Sequence, residues 1–134
     1  MENDKSIRVT WLDTDILHDV LNEAAKICRA EADKWYHEPL TGAPLSLNHG
    51  ERFALMHSEI SEAMEAHRKD LMSVHLPKRK GVEEELADAL IRIFDYCGDN
   101  NLNIGEVFVE KMQYNRQSQD HTNAARIAPG GKKF

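Results

Sequence analysis

Apolar residues recur along this chain at spacings of three and four, the period of a helix buried on one side, and alternating β-branched runs are missing. Four helical segments account for most of its 134 residues. The first covers about residues 13–35 and carries Ile16, Leu17, Val20, Leu21, Ala24 and Ile27 at helical spacing. It stops before HEPLTGAPLSLNHG, where two prolines, two glycines and Asn48 mark a loop of a length that is often functional. The second helix opens on a capping box, Asn48 at the N-cap and Glu51 three positions on, and extends to about residue 70. LMSVHLPKRKG leads into a third helix over about residues 82–98, and Asn103 with Glu106 forms a second capping box ahead of a fourth that ends near residue 116. The remaining segment, SQDHTNAARIAPGGKKF, has too few apolar residues to pack on its own. The pattern predicts an all-α domain over residues 1–116 and a basic, weakly structured tail over 117–134, with no internal repeat.

The two middle helices carry chemistry. At 100° per residue, Leu86, Leu90, Ile93, Phe94 and Cys97 share one broad apolar face of the third helix, and Glu85, Asp88, Arg92 and Asp95 fall within an arc of about 80° on the other side. The main apolar stripe of the second helix is Phe53, Met56, Ile60, Ala63 and Met64. Glu59 and Glu62 project into an arc shared with Leu55 and Ala66, while Ser58, Ser61 and Glu65 take the more polar side. Spacing i, i+3 puts Glu59 with Glu62, and Glu85 with Asp88, on adjacent turns pointing the same way. If the helices pack antiparallel, four carboxylates converge and repel unless a cation joins them. Without that contact they are two solvated charged faces. Oxygen-only ligation favours Mg²⁺ or Mn²⁺ over zinc, since no histidine or thiolate stands at ligand spacing within the pairs, and the Glu-x-x-His of a di-iron bundle is absent.

Charge and composition narrow the partners. Of the formal net charge of −6, residues 1–110 carry 12 basic and 22 acidic side chains, and residues 111–134 carry 5 basic and 1 acidic. An acidic body does not track a nucleic-acid polymer, whereas a basic tail can meet a small polyphosphate. No stretch approaches the roughly 20 apolar residues that cross a bilayer. MENDKSIRVT has no signal-peptide core, so the expectation is a cytoplasmic protein without membrane association. Cys28 and Cys97 lack C-x-x-C spacing and read as core residues.

The strings HSEISEAMEAHRKDLM, LPKRKGVEEELADALIRIFDY and EKMQYN resemble the MazG-like all-α nucleoside triphosphate pyrophosphohydrolases, whose signature is E-x-x-E, a spacer, then E-x-x-D. The likeness extends to a phage and prophage subgroup through KWYHEPLTG and DHTNAARIAPGGKKF, covering residues 34–134. Residues 1 to about 30 match only as a generic helix. The resemblance implies a four-helix bundle completed by homo-oligomerisation, as a homodimer or homotetramer. It also implies Mg²⁺- or Mn²⁺-dependent hydrolysis of a nucleoside triphosphate to the monophosphate and pyrophosphate.

By that resemblance Glu59, Glu62, Glu85 and Asp88 are the metal ligands, with Glu59 the first choice to relay the proton of the attacking water. Lys111 and Asn115, one turn apart in EKMQYN, correspond to phosphate or sugar contacts, against a surface lysine and a helix-end asparagine. Arg92 either neutralises phosphate or pairs with Asp88 or Asp95, and Asp95 either completes the acidic stripe or holds Arg92. Lys34 and Trp35 precede the long loop, where Trp35 stacks on a base or joins the core. His57 and His67 read as packed, hydrogen-bonded residues, and Lys132 and Lys133 as groups able to close over a triphosphate. In the phage subgroup a purine deoxynucleotide, dGTP first, is preferred over dUTP or dCTP. The competing classes are a house-cleaning or dUTPase/dCTPase-like pyrophosphatase and a non-catalytic helical oligomerisation module.

Overall fold

The computed structural model describes residues 11–134, with side chains from Thr14 onward. MENDKSIRVT, and the expectation attached to it, lie outside the described residues. Among the described residues five α-helices form: α1 (Trp11–Glu31), α2 (His49–Arg68), α3 (Gly81–Asp99), α4 (Ile104–Gln117) and α5 (Asn123–Ile127), with 3₁₀ turns at Asp33–Tyr36 and Gln119–His121. Among the described residues there is no strand, only the isolated bridges His37–Pro44 and Met72–Lys80, so the all-α class stands. None of the described helices is long and apolar enough to cross a membrane.

The helix ends follow the capping residues. Asn48 Oδ1 accepts the N–H of Glu51 at 3.0 Å to open α2, and Asn103 Oδ1 accepts that of Glu106 at 3.3 Å to open α4. Asn103 Nδ2 also bonds the Glu106 carboxylate at 2.6 Å, whereas Glu51 makes no return bond, so the box at α2 is only half formed. The first helix stops at Glu31, and its expected last turn tightens into the 3₁₀ turn that carries Trp35 and Tyr36. Within the C-terminal segment, Thr122 Oγ1 accepts the Ala125 N–H at 3.1 Å and caps α5, so a short helix stands in the stretch expected to be weakly structured.

The chain divides into two compact units. One joins the segment up to Asn22 to Asn103–Phe134; the other is Glu23–Leu102. In the first, Asn22 bonds both Asn103 (2.8 Å) and the Gly105 N–H (2.8 Å), and a Cβ on Gly105 would stand 2.2 Å from the His18 carbonyl oxygen. Only glycine permits that approach.

The second unit is organised by α2 against α3. Gly81 lies beside Ala66, Arg92 bonds Glu59 and Arg52 bonds Asp99, so rising numbers on α3 meet falling numbers on α2 and the pair is antiparallel. Ala63, Ala66, Gly81 and Ala89 are buried. The large apolar residues of both stripes do not fill this unit. Phe53, Ile60 and Met64 on α2, and Leu86, Leu90 and Ile93 on α3, stay exposed, Met56 and Phe94 are half-buried, and Ala63 and Cys97 alone of the two stripes are buried. Small side chains let the two backbones approach on the carboxylate side, which turns the broad apolar faces away from the contact. Cys28 is partly and Cys97 fully buried, both as free thiols.

Gly98 fixes how the end of α1 meets α3, since a Cβ there would lie 2.5 Å from the Ala25 carbonyl oxygen and 2.7 Å from Arg29 Cβ. Gly98→Ala is expected to destabilise the protein by about 1–3 kcal/mol through this overpacking, read as a lower denaturant midpoint in urea.

Candidate metal centre

Two loops frame the α2–α3 pair. After α2, Asp70 takes a positive φ of 49° and turns the chain, and Lys80 Nζ holds its carboxylate at 2.7 Å. Ser73, buried, donates its hydroxyl to Glu84, whose other oxygen lies 2.5 Å from His75 Nδ1. That anchors the loop on the first turn of α3 and engages Glu84, leaving Glu85 to face α2. Ahead of α2, the Glu38 carboxylate accepts the N–H groups of Leu40 (3.1 Å) and Thr41 (2.6 Å), and Leu45 N–H bonds the Tyr36 carbonyl at 2.8 Å. The loop thereby folds back and carries Trp35 and Tyr36 to the beginning of α2.

At the middle of the helix pair, one carboxylate oxygen each from Glu59, Glu85 and Asp88 lies within 4.8 Å of the other two. Glu59 is 6 % exposed and Glu85 and Asp88 are half-buried. Glu62 stands outside this trio, and the neighbouring Glu59 carboxyl group pushes its pKa up. Burial first, then the neighbouring carboxylates, raises Glu85 and Asp88 as well. Arg92 Nε donates to Glu59 Oε1 at 2.5 Å and neutralises one charge of the set. The donors suit a hard divalent cation: oxygens on one Mg²⁺ sit at about 2.1 Å from it and so at most about 4.2 Å apart, a small contraction of the observed trio.

Beside the centre lies a cavity of about 400 Å³, within the range of small-ligand pockets. Trp35, Leu47 and Leu55 supply apolar wall; Asn48 and Glu51 line it together with Arg92. Its back wall is a paired polar network. Tyr36 O–H donates to Asp95 Oδ1 at 2.9 Å, Arg52 reaches the Tyr36 oxygen at 2.5 Å and Asp99 Oδ2 at 2.8 Å, and Arg29 Nε holds Asp99 Oδ1 at 3.2 Å. The Arg29 guanidinium also lies 3.6 Å from the Tyr36 ring centroid. Burial, and next the hydrogen bond to Asp95, raise the Tyr36 pKa and keep the phenol neutral.

Several sequence expectations change here. Arg92 pairs with Glu59 rather than Asp88 or Asp95, and Asp95 holds Tyr36 and Arg52 rather than Arg92. Trp35 is not core but 68 % exposed on the cavity, with Lys34 Nζ 5.2 Å from its ring. His57 and His67 are exposed, because the face of α2 that carries them is not packed. Lys111 is exposed on α4 with its ammonium 4.4 Å from the Tyr114 ring, and Asn115 is half-buried. Lys132 and Lys133 are exposed. Tyr36, Arg52 and Asp99 escaped notice in the sequence; the only signal was that Asn48, Arg52, Leu55 and Glu59 follow one another at three- and four-residue steps on one face. Comparison with protein-family models, curated proteins and solved structures finds no match to the chain.

Without metal, Glu85 opposes folding when ionised. Its folded pKa lies above the ordinary 4.5, so the folded chain binds more protons than the unfolded one as pH rises past that value, and stability falls across that window. Glu85→Gln is therefore expected to raise the metal-free melting temperature by about 2–4 °C at pH 7, with the gain vanishing below pH 4.5. Saturating Mn²⁺ is expected to reverse the order, because a cation held by the carboxylates would stabilise the wild type more than a variant short of one charged ligand. Thermal scans at pH 4 and pH 7, with and without metal, check both signs.

Proposed function

We propose that this protein is a MazG-like nucleoside triphosphate pyrophosphohydrolase that cleaves (deoxy)nucleoside triphosphates to the monophosphate and pyrophosphate, a purine deoxynucleotide such as dGTP being preferred. The observation that carries the proposal is the convergence of Glu59, Glu85 and Asp88, with Glu62 linked through Glu59, on an antiparallel helix pair beside an open cavity. Three of the four motif acids have one oxygen each in a single cluster, where solvated helix faces would have left them apart.

Mg²⁺ or Mn²⁺ bound by these acids supplies neutralising charge for the triphosphate and lowers the pKa of a bound water toward neutrality. The protein's own groups do the rest. Glu59, buried and oriented by Arg92, would hold the metal and accept the water proton. Arg92 lies at the boundary of carboxylates and cavity and is placed to shift part of its hydrogen bonding onto a phosphate oxygen. Trp35, on the cavity wall with Lys34 beside its ring, takes the nucleoside side.

A homodimer or homotetramer completes the bundle in this proposal. Leu90 is 53 % exposed and Leu86 46 %, on the face the sequence pattern assigns to a core. Apolar stripes of that breadth on two adjoining helices call for a further layer. Leu86→Glu with Leu90→Glu is expected to shift the sedimenting species from oligomer to monomer; an unchanged sedimentation coefficient would remove this face from the interface.

Incubation with Mg²⁺ or Mn²⁺ and a panel of ribo- and deoxynucleoside triphosphates tests the activity. Monophosphate plus pyrophosphate is expected, whereas diphosphate plus phosphate, or no product, would refute it. Glu59→Gln is expected to lower kcat by about 10²–10⁴-fold while the circular dichroism spectrum stays that of a folded helical protein.

A further inference from the structure

Two arginines line the cavity, and they are held differently. The Arg52 side chain is 10 % exposed and spreads its guanidinium over Asp95, Asp99 and the Tyr36 oxygen. The Arg92 side chain is 41 % exposed, and its one hydrogen bond among the described residues is the 2.5 Å contact from Nε to Glu59 Oε1. The first is a fixed part of the wall, whereas the second is free to turn about its stem once that single bond is given up. Yet the bond matters to the acids. Among the described residues it is the only ion pair that reaches Glu59, Glu62, Glu85 or Asp88. The Glu59 side chain, 8 % exposed, has little water to replace the guanidinium, so it needs one positive partner or another. A divalent cation shared by Glu59, Glu85 and Asp88 is the competing partner. Whichever Glu59 oxygen it took, that ion would stand within about 7 Å of Arg92 Nε, given metal–oxygen distances of about 2.1 Å. At that range a doubly charged ion and a guanidinium repel each other even where water screens them.

We propose that Arg92 is a built-in counter-ion which a divalent cation displaces from Glu59, and that its release offers the guanidinium to an oxyanion in the cavity, so that cation and oxyanion bind cooperatively. The inference rests on the metal-centre reading and adds an order to it: the first ligand prepares the site of the second. The coupling is a free energy and therefore reciprocal, so an oxyanion that takes the guanidinium strengthens cation binding by the same factor. A guanidinium that served only to orient Glu59 for the metal would have the opposite signature, because its removal would weaken cation binding. Removal of a competing counter-ion strengthens it.

Calorimetric titration of Mn²⁺ into the full chain, as wild type and as Arg92→Gln, provides the test, each protein being measured in sodium chloride and in sodium sulfate at equal ionic strength. Sulfate serves as the tetrahedral oxyanion, and its own pairing with Mn²⁺ is common to both proteins. In chloride, Arg92→Gln is expected to bind Mn²⁺ about tenfold more tightly than the wild type. Exchange of chloride for sulfate is expected to tighten Mn²⁺ binding by the wild type about fivefold relative to Arg92→Gln. Arg92→Lys, which keeps the charge, is expected to stay within about threefold of the wild type in chloride. Thermal scans give a second readout. Arg92→Gln leaves Glu59 without its partner and is expected to melt below the wild type in the absence of metal, yet to gain more from saturating Mn²⁺. Mn²⁺ binding by Arg92→Gln that is equal to or weaker than that of the wild type would overturn the counter-ion role and leave the metal centre standing. The sulfate response of the wild type decides the coupling even if the variant does not fold, since a Mn²⁺ affinity no tighter in sulfate than in chloride overturns it. No Mn²⁺ binding by any of the proteins retires both the inference and the metal centre on which it rests.

Discussion

The close contact of α2 with α3 is the constraint from which the site follows. Ala63 and Ala66 on one helix and Gly81 and Ala89 on the other leave room for the backbones to approach, and the residues between these positions are drawn into the contact whether or not they are apolar. Glu59 is thereby buried, with Glu85 and Asp88 brought against it. Like charges at that separation in a partly desolvated setting destabilise the fold; the Arg92 guanidinium relieves part of this, and the remaining oxygen donors suit a hard divalent cation.

A second set of charges does the opposite job. Arg29, Arg52, Asp95, Asp99 and Tyr36 satisfy one another, tying the end of α1, the 3₁₀ turn and both central helices into one wall. Because these groups are mutually paired, they hold the cavity open without competing for a ligand. Arg92, paired with Glu59, joins the cavity lining to the carboxylates. Arg52 and Glu51 are neighbours in sequence with different fates, one locked into the wall and one left at its rim.

The same close contact leaves the broad apolar stripes of α2 and α3 outward, a surface that needs covering. The site and this uncovered apolar surface are therefore two consequences of one choice of packing face. A helix that carries both a small-residue face and a large apolar face is able to bury each against a different neighbour.

Much of this was legible in the residues themselves. The helices, their caps at Asn48 and Asn103, and the all-α class follow from local periodicity and from backbone groups that need partners within a few residues. The i, i+3 spacing already put Glu59 with Glu62 and Glu85 with Asp88, because that relation lies within a single helix. Which faces meet does not lie within one helix. Sequence favoured the larger apolar stripes for burial, but the contact formed through alanine and glycine, where the backbones approach most closely. Arg92 took Glu59, Asp95 took Tyr36 and Arg52, and Trp35 came out to the cavity, all through pairings across 16 to 59 positions of chain that no local pattern records. Sequence alone determined the helices and the carboxylate pairs on each, since short-range geometry suffices for those. Tertiary structure decided that the pairs face one another, and which neighbouring groups stay free, since both depend on how closely two separate helices can approach.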